Sequence, residues 1–347
     1  MPGAGFEPAL PCGKRLLRPL CLPFHHPGGV QESHAKAMFR QGNYRGAFVH
    51  FELASAKLIS EQRYPVRHVL VSAIIGGMLV LFGCGPKDRA RNELAVRILR
   101  NGDAAFVARS DLGDLDRAIQ WYLSGVREFP TEPKLMGRLA RAYTVRAYAH
   151  PDDGLDGFVT AREFGLRCLM LEDAFGGLVQ SAGGAVTKRA VGTLESNRIG
   201  CITWTSLAWS RWLDERGVVG ASIDLGATQA LAEKAVSLNG QYDGGRPYAA
   251  LGLALALPPE PLGPDLDGAR KAFGQASRLS PDRLTPVVDL AQYVSAAEGK
   301  QGEWAALLGR VVDTTLDQEG RDYLENSAAI QRARALLDAG LDSRWQE

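Results

Sequence analysis

Histidine and cysteine are scarce in this 347-residue chain, and their scarcity removes whole classes of chemistry. Of the six histidines only His150 lies beyond residue 84, and of the five cysteines only Cys84, Cys168 and Cys201 lie at or beyond that point. A His/Cys metal site draws three or four ligands from such residues, so the body of the chain has almost nothing to build one from. Charge of one sign is missing too. A formal net charge of +1 gives no electrostatic footprint for nucleic acid or for an acidic membrane surface. There is no HExxH, no GxSxG and no P-loop, and the glycine pairs at 176–177, 183–184 and 244–245 do not follow a strand to open a phosphate-binding helix. Acid pairs such as Asp152/Asp153 and Glu163/Glu172 read as solvated charges rather than as a general acid–base couple. The sequence offers no enzyme, and it asks for no metal and no cofactor.

What is present begins with an apolar run at residues 69–82, VLVSAIIGGMLVLF. Its fourteen residues fall short of the roughly 20 that a spanning helix needs. Arg63, Arg67 and His68 precede it and polar Gly85-Pro86-Lys87-Asp88 follows, which is the order of an export signal. The boundary Leu81-Phe82-Gly83-Cys84 resembles a bacterial lipobox, with the Cys84 thiol placed to accept diacylglycerol. Residues 1–65 carry seven prolines and no period of 2 or 3.6, so they read as a non-native or disordered leader upstream of the true start, with Val66 as the alternative start. The expected organisation is therefore a leader at 1–65, a lipoprotein signal peptide at 66–83 and one helical domain at 84–347.

From residue 92 onward the periodicity is helical, with no convincing strand. Helices are expected over 92–108, 115–128, 132–149 and 157–171. After a glycine-rich insertion at 173–200 they are expected over 200–214, 223–238, 246–255, 266–279, 285–298, 303–315 and 322–339. Beneath them runs a repeat. Ala118, Tyr122, Gly125 and Pro130 stand at offsets 0, 4, 7 and 12, and Ala269, Phe273, Ala276 and Pro281 repeat those offsets. Small residues let helices approach, the aromatic plugs the groove between them, and proline ends the helix. Weaker copies begin at Ala161, Thr228 and Ala305. This is the second-helix pattern of a tetratricopeptide (TPR) repeat, so the expected fold is all-α, with degenerate TPR-like repeats forming a curved α-α superhelix. A non-repeating helical bundle is the alternative. The insertion at 173–200 reads as a functional rim or a partner surface rather than as core.

Three of the six tryptophans, Trp204, Trp209 and Trp212, fall within nine residues. With Tyr143 and Arg146 (near Tyr148) and the Tyr242-Asp243 turn, they form the candidate lining of a ligand cleft, or else inter-helix packing. Cys168 and Cys201 fall on apolar faces of their expected helices and read as small buried hydrophobes rather than as a bridge, although export would permit one. His150 closes a helix, where a capping role is expected.

Taken together, the Gly-Cys-Gly-Pro-Lys lipobox end, the degenerate repeats, Ile-Thr-Trp204-Thr-Ser-Leu-Ala-Trp209, the Ala-Glu-Lys-Ala-Val-Ser-Leu-Asn-Gly-Gln-Tyr242-Asp243-Gly-Gly turn and Ala269-Arg-Lys-Ala-Phe273 resemble the TRAP-transporter-associated TPR-like lipoproteins, the T component of TRAP systems. The resemblance covers residues 81–337. It implies a periplasmic, all-helical accessory subunit of a solute uptake system, lipidated at Cys84 and held to a membrane, with the inner leaflet of the outer membrane favoured. It further implies a homotrimer that docks the TRAP substrate-binding protein, binds no nucleic acid, and holds or channels a small organic ligand. Trp204, Trp209, Tyr242 and Asp243 fall on the matching stretches. A generic TPR scaffold lipoprotein of the cell envelope is the alternative.

Overall fold

A computed structural model describes residues 86–150, 154–217, 222–259, 262–318 and 320–340. The leader, the signal segment and Cys84 lie outside the described residues. Local sequence explains where the helices start. Asp111 caps the helix Leu112–Glu128 by accepting from the Asp114 amide at 2.9 Å, and Glu132 caps the next helix by accepting from Lys134 N at 3.1 Å, with Pro133 at its first turn. Each side-chain acceptor satisfies one of the amides that a helix N-terminus leaves unpaired. In chain order the helices are α1 (Pro86–Val107), α2 (Leu112–Glu128), α3 (Pro133–Ala149), α4 (Gly154–Leu169), α5 (Asp173–Ser181), α6 (Lys188–Gly192) and α7 (Ile199–Arg216). They continue with α8 (Ser222–Asn239), α9 (Arg246–Ala256), α10 (Leu266–Leu279), α11 (Thr285–Asp289), α12 (Gln301–Val312) and α13 (Tyr323–Ala339). A π-helical turn, Leu290–Ser295, extends α11 without a break. No strand occurs among the described residues, which all fall in one compact unit, Val71–Glu347. The fold is all-α.

Consecutive helices pack as neighbours: α1 on α2, α2 on α3, α3 on α4, α7 on α8, α8 on α9 and α9 on α10. The repeat residues sit in these contacts. Ala118, Tyr122 and Gly125 are buried on α2, and Ala269, Phe273 and Ala276 on α10. Each aromatic lies over a glycine of the preceding helix. A Cβ on Gly102 of α1 would run into the Tyr122 ring, and one on Gly252 of α9 would lie 2.7 Å from the Phe273 ring. The two copies therefore share one device, a flat ring set against bare backbone. A glycine-to-alanine change inside a helix ordinarily stabilises by about 1 kcal/mol. Gly252→Ala is instead expected to destabilise by roughly 1–3 kcal/mol through overpacking, measured as a lower urea midpoint. A stabilised variant would show that the ring can withdraw.

The glycine-rich segment corrects the sequence expectation. Instead of a rim outside the core it forms α5, α6 and a 3-10 turn, Ser196–Arg198. Thr187 caps α6 by accepting from Ala190 N at 3.2 Å. Phe175, Val179, Val186, Ala190, Val191 and Leu194 are buried in the main core, so the segment is part of the body.

α7 is the middle of the molecule. Every residue from Cys201 to Leu213 is buried, and the helix packs on α3, α4, α8 and α9. A helix covered on all sides must hide its polar groups as well as its apolar ones. Small hydroxyls do this: Thr205 donates within the helix to Cys201 O at 2.6 Å, and Ser206 donates across to Thr228 O on the following helix at 2.9 Å. At the far end of the chain, α13 packs on α11 and α12 and also returns to α3. That return encloses a space.

Candidate functional site

The space is a cavity of about 700 Å³, within the range of small-molecule sites. α3 and α4 contribute Ala147, Tyr148, Gly154 and Phe158, and the end of α7 contributes Arg211, Asp214 and Glu215. Thr285 on α11, Gln292 and Tyr293 in the π turn and Trp304 on α12 form the next wall. α13 presents Glu325, Gln331 and Arg332 together with a small-residue face of Ala328, Ala329, Ala335 and Ala339, which leaves the volume open.

A buried ionic network fixes one side of this cavity. Arg211 is almost fully buried, and a charge so placed needs every donor matched. Its Nε donates to the Tyr148 hydroxyl and its Nη1 to the Tyr293 hydroxyl, each at 2.9 Å, and Nη2 binds the Asp289 carboxylate. Arg332 reaches the same carboxylate through Nη2 and donates from Nε to Gln292 Oε1 at 2.7 Å. Tyr293 in turn donates to Asp214. Burial disfavours the Asp289 anion, but the guanidiniums of Arg211 and Arg332 outweigh it and hold the carboxyl below its ordinary range. Burial and the nearby Asp214 carboxylate push the Tyr293 phenol well up, so it stays protonated and can donate.

A second cluster is centred on Glu325, which also lines the cavity. Glu325 accepts from Arg109 Nη2 at 2.7 Å and from Arg246. Asp322 lies 3.0 Å from Arg283, and Asp243 takes Arg321 and lies 3.6 Å from Arg141. Five guanidiniums thus share three carboxylates. Burial raises the cost of the Glu325 anion, yet Arg246, Arg109 and Arg283 bring its pKa down to about 2. The surplus of positive charge shows at Arg283, whose pKa burial and the adjacent Arg246 lower to about 10.

The residues singled out from the sequence fall around these clusters and not on the cavity lining. Trp204 is 0 % exposed, with the Arg246 guanidinium 5.1 Å and that of Arg141 5.8 Å from its ring. Asp243, the one non-glycine residue at positive φ among those described, lies 3.9 Å from Arg246. Trp204 and Asp243 therefore flank the arginine that holds Glu325 in the wall. Tyr242 sits beside them, its hydroxyl close to Gly200. Trp209 and Trp212 are 6 % and 8 % exposed, and Arg162 covers both rings at 5.2 and 4.3 Å. Tyr143 stacks on Phe164 with ring centroids 5.8 Å apart, and Arg146 binds Asp116 at 3.0 Å. Tyr148, their sequence neighbour, does reach the cavity. His150 is the C-cap residue of α3, its amide donating to Arg146 O at 2.9 Å. Arg211, Asp289, Tyr293, Glu325 and Arg332 were missed. The available signal was charge inside apolar helical stretches, as in TSLAWSRW and TPVVDLAQYV.

Cys168 and Cys201 also depart from expectation. They form a disulfide, with Cα atoms 6.1 Å apart, tying the end of α4 to the start of α7. Both are buried, as their apolar faces suggested, but those faces are turned toward each other across 33 residues of sequence. No cluster of His, Cys, Asp and Glu among the described residues could hold a metal ion, and no described helix is long and apolar enough to cross a membrane.

Comparison with protein-family models gives a match described as TRAP transporter T-component over residues 158–342, more than half of the chain. The matched range begins within α4 and so takes in α7, both cysteines of the disulfide, both ionic clusters' acids and most of the cavity wall. A search among curated proteins gives no match.

Proposed function

Because the chain belongs to the TRAP transporter T-component family, we propose that it is the extracytoplasmic accessory subunit of such a system, docking the substrate-binding protein and sheltering the transported solute in the cavity between α3, α7 and α13. The observation that carries the solute role is that cavity, with its open alanine face and its ionic wall. A sheltering role needs volume, selectivity and a way out, and no bond-making step. In this reading the helix pairs stack as a curved TPR-like superhelix, and three copies assemble as a trimer. Trp204, Tyr242 and Asp243 position the wall through Arg246, while Tyr143, Arg146, Trp209 and Trp212 hold α3, α4 and α7 in place.

The membrane enters through Cys84. Acyl chains contribute about 0.8 kcal/mol per buried CH2, so a diacylglycerol with a further acyl group anchors a domain durably. Residues 66–83 would be removed as the signal peptide, and the inner leaflet of the outer membrane is the favoured seat. The disulfide supports an oxidising compartment such as the periplasm.

The test is fractionation combined with co-purification. Cys84→Ala is expected to move the protein from the membrane fraction to the soluble extract, and the anchored protein is expected to retain its system's substrate-binding protein on an affinity resin. Membrane retention of the alanine variant would remove the anchor. Capture of an envelope assembly complex in place of the binding protein would favour a general scaffold.

A further inference from the structure

The cavity carries two kinds of uncommitted polar group, and one member of each lies against the same tyrosine. The first kind comprises Asp214 and Glu215, in the last turn of α7. Asp214 accepts from Tyr293 on Oδ2, and its Oδ1 has no protein donor among the described contacts. Glu215 is exposed and belongs to no described ion pair. Two carboxylates at a helix C-terminus work against the negative end of the helix dipole, a placement that favours a cation brought from outside. The second kind comprises Arg332 and Gln292. Arg332 uses Nε and Nη2 on Gln292 and Asp289, and its Nη1 is unbonded among the described contacts. Gln292 lines the cavity and spends its amide oxygen on Arg332, and its Nε2 has no protein partner among the described contacts.

Tyr293 touches one member of each set. Its hydroxyl binds Asp214, and the Arg332 guanidinium lies 5.9 Å from its ring centroid. Trp304 and Phe158 supply apolar walls beside them. We propose that the cavity is built for a zwitterionic solute, its ammonium group against Asp214 and Glu215 and its carboxylate on Arg332 Nη1 and Gln292 Nε2, with a short apolar body along Trp304. This deepens, and rests on, the reading of the cavity as the solute chamber. A purely anionic solute would leave the α7 carboxylates facing a like charge, and a purely cationic one would leave Arg332 and Gln292 unmatched.

Three probes of one length separate these cases: 6-aminohexanoate, hexanoate and hexylammonium, titrated calorimetrically into the detergent-solubilised full protein. Binding of 6-aminohexanoate is expected to be at least about tenfold tighter than of either singly charged analogue, each charged end adding a charge-assisted hydrogen bond. Glu215→Gln, at an exposed position, combined with Asp214→Asn is expected to erase most of that preference while leaving hexanoate affinity unchanged or raised. Arg332→Gln is expected to do the reverse, sparing hexylammonium. Hexanoate or hexylammonium binding as tightly as 6-aminohexanoate in the unmodified protein would overturn the zwitterion while leaving the chamber standing. Binding of none of the three would overturn both, and retention of the binding protein on the resin would then preserve the docking role alone.

Discussion

Glu325→Gln is expected to cost about 3–5 kcal/mol of folding stability at neutral pH, seen as a lower midpoint and unchanged slope in urea unfolding. The side chain is 1 % exposed and takes Arg109 and Arg246 at once. Glutamine keeps the shape and removes the charge, leaving guanidiniums buried beside Asp322 and Asp243 alone. The pH dependence has a definite sign. The folded carboxyl titrates near 2 against an ordinary 4.5, a depressed value. Its contribution, about 3 kcal/mol, is therefore complete above pH 4.5 and is lost as pH falls from there toward 2. The parent protein should lose stability steeply over that interval, and the glutamine variant should show a shallower acid limb. A variant as stable as the parent at pH 7 would mean that water, not Glu325, balances the arginines. Because Glu325 also lines the cavity, the same substitution should weaken retention of any solute held there.

Cys168→Ser with Cys201→Ser is expected to cost about 3–4 kcal/mol, the chain-entropy value for a closed loop of 33 residues. Non-reducing and reducing gels should show the mobility difference in the parent and none in the variant. Thermal melts with and without dithiothreitol should converge on the variant's midpoint. The bridge anchors the first turn of α7, the helix that carries Arg211 into the core, so the reduced protein should also lose cavity-dependent binding before it unfolds globally. A parent whose melt is indifferent to reductant would argue that packing around Pro133, within 3.4 Å of the Cys168 sulfur, already holds the junction.

Much of the fold was legible along the chain. Helix ends are written by local chemistry: Asp111 and Asp114, Glu132-Pro133 and Asp265 announce their helices whatever the rest of the protein does. The repeat was legible because Tyr122 and Phe273 occupy the same place relative to small neighbours, and the glycines beneath their rings lie 20 and 21 residues earlier. The segment at 173–200 was misread because its six glycines mask an apolar set, Phe175 to Leu194, that belongs to the core. The site was less legible still. Three tryptophans drew attention to α7, yet their rings are covered by arginines, and the cavity is lined by the arginine between them.

By itself, the sequence determined the all-α class, most of the helices, the small-aromatic-small packing code and the family resemblance, since all of these are carried by residues within one or two helices of each other. Only the tertiary structure decided which charges meet. Arg211 with Asp289, Arg109 with Glu325 and Cys168 with Cys201 are separated by 78, 216 and 33 residues. Their pairing follows from α13 returning to α3 and from α4 lying along α7. A buried charge declares itself in sequence only as an anomaly on an apolar face. Its partner is chosen by the geometry of a closed core, where each charge must find the counter-charge that the fold places within reach.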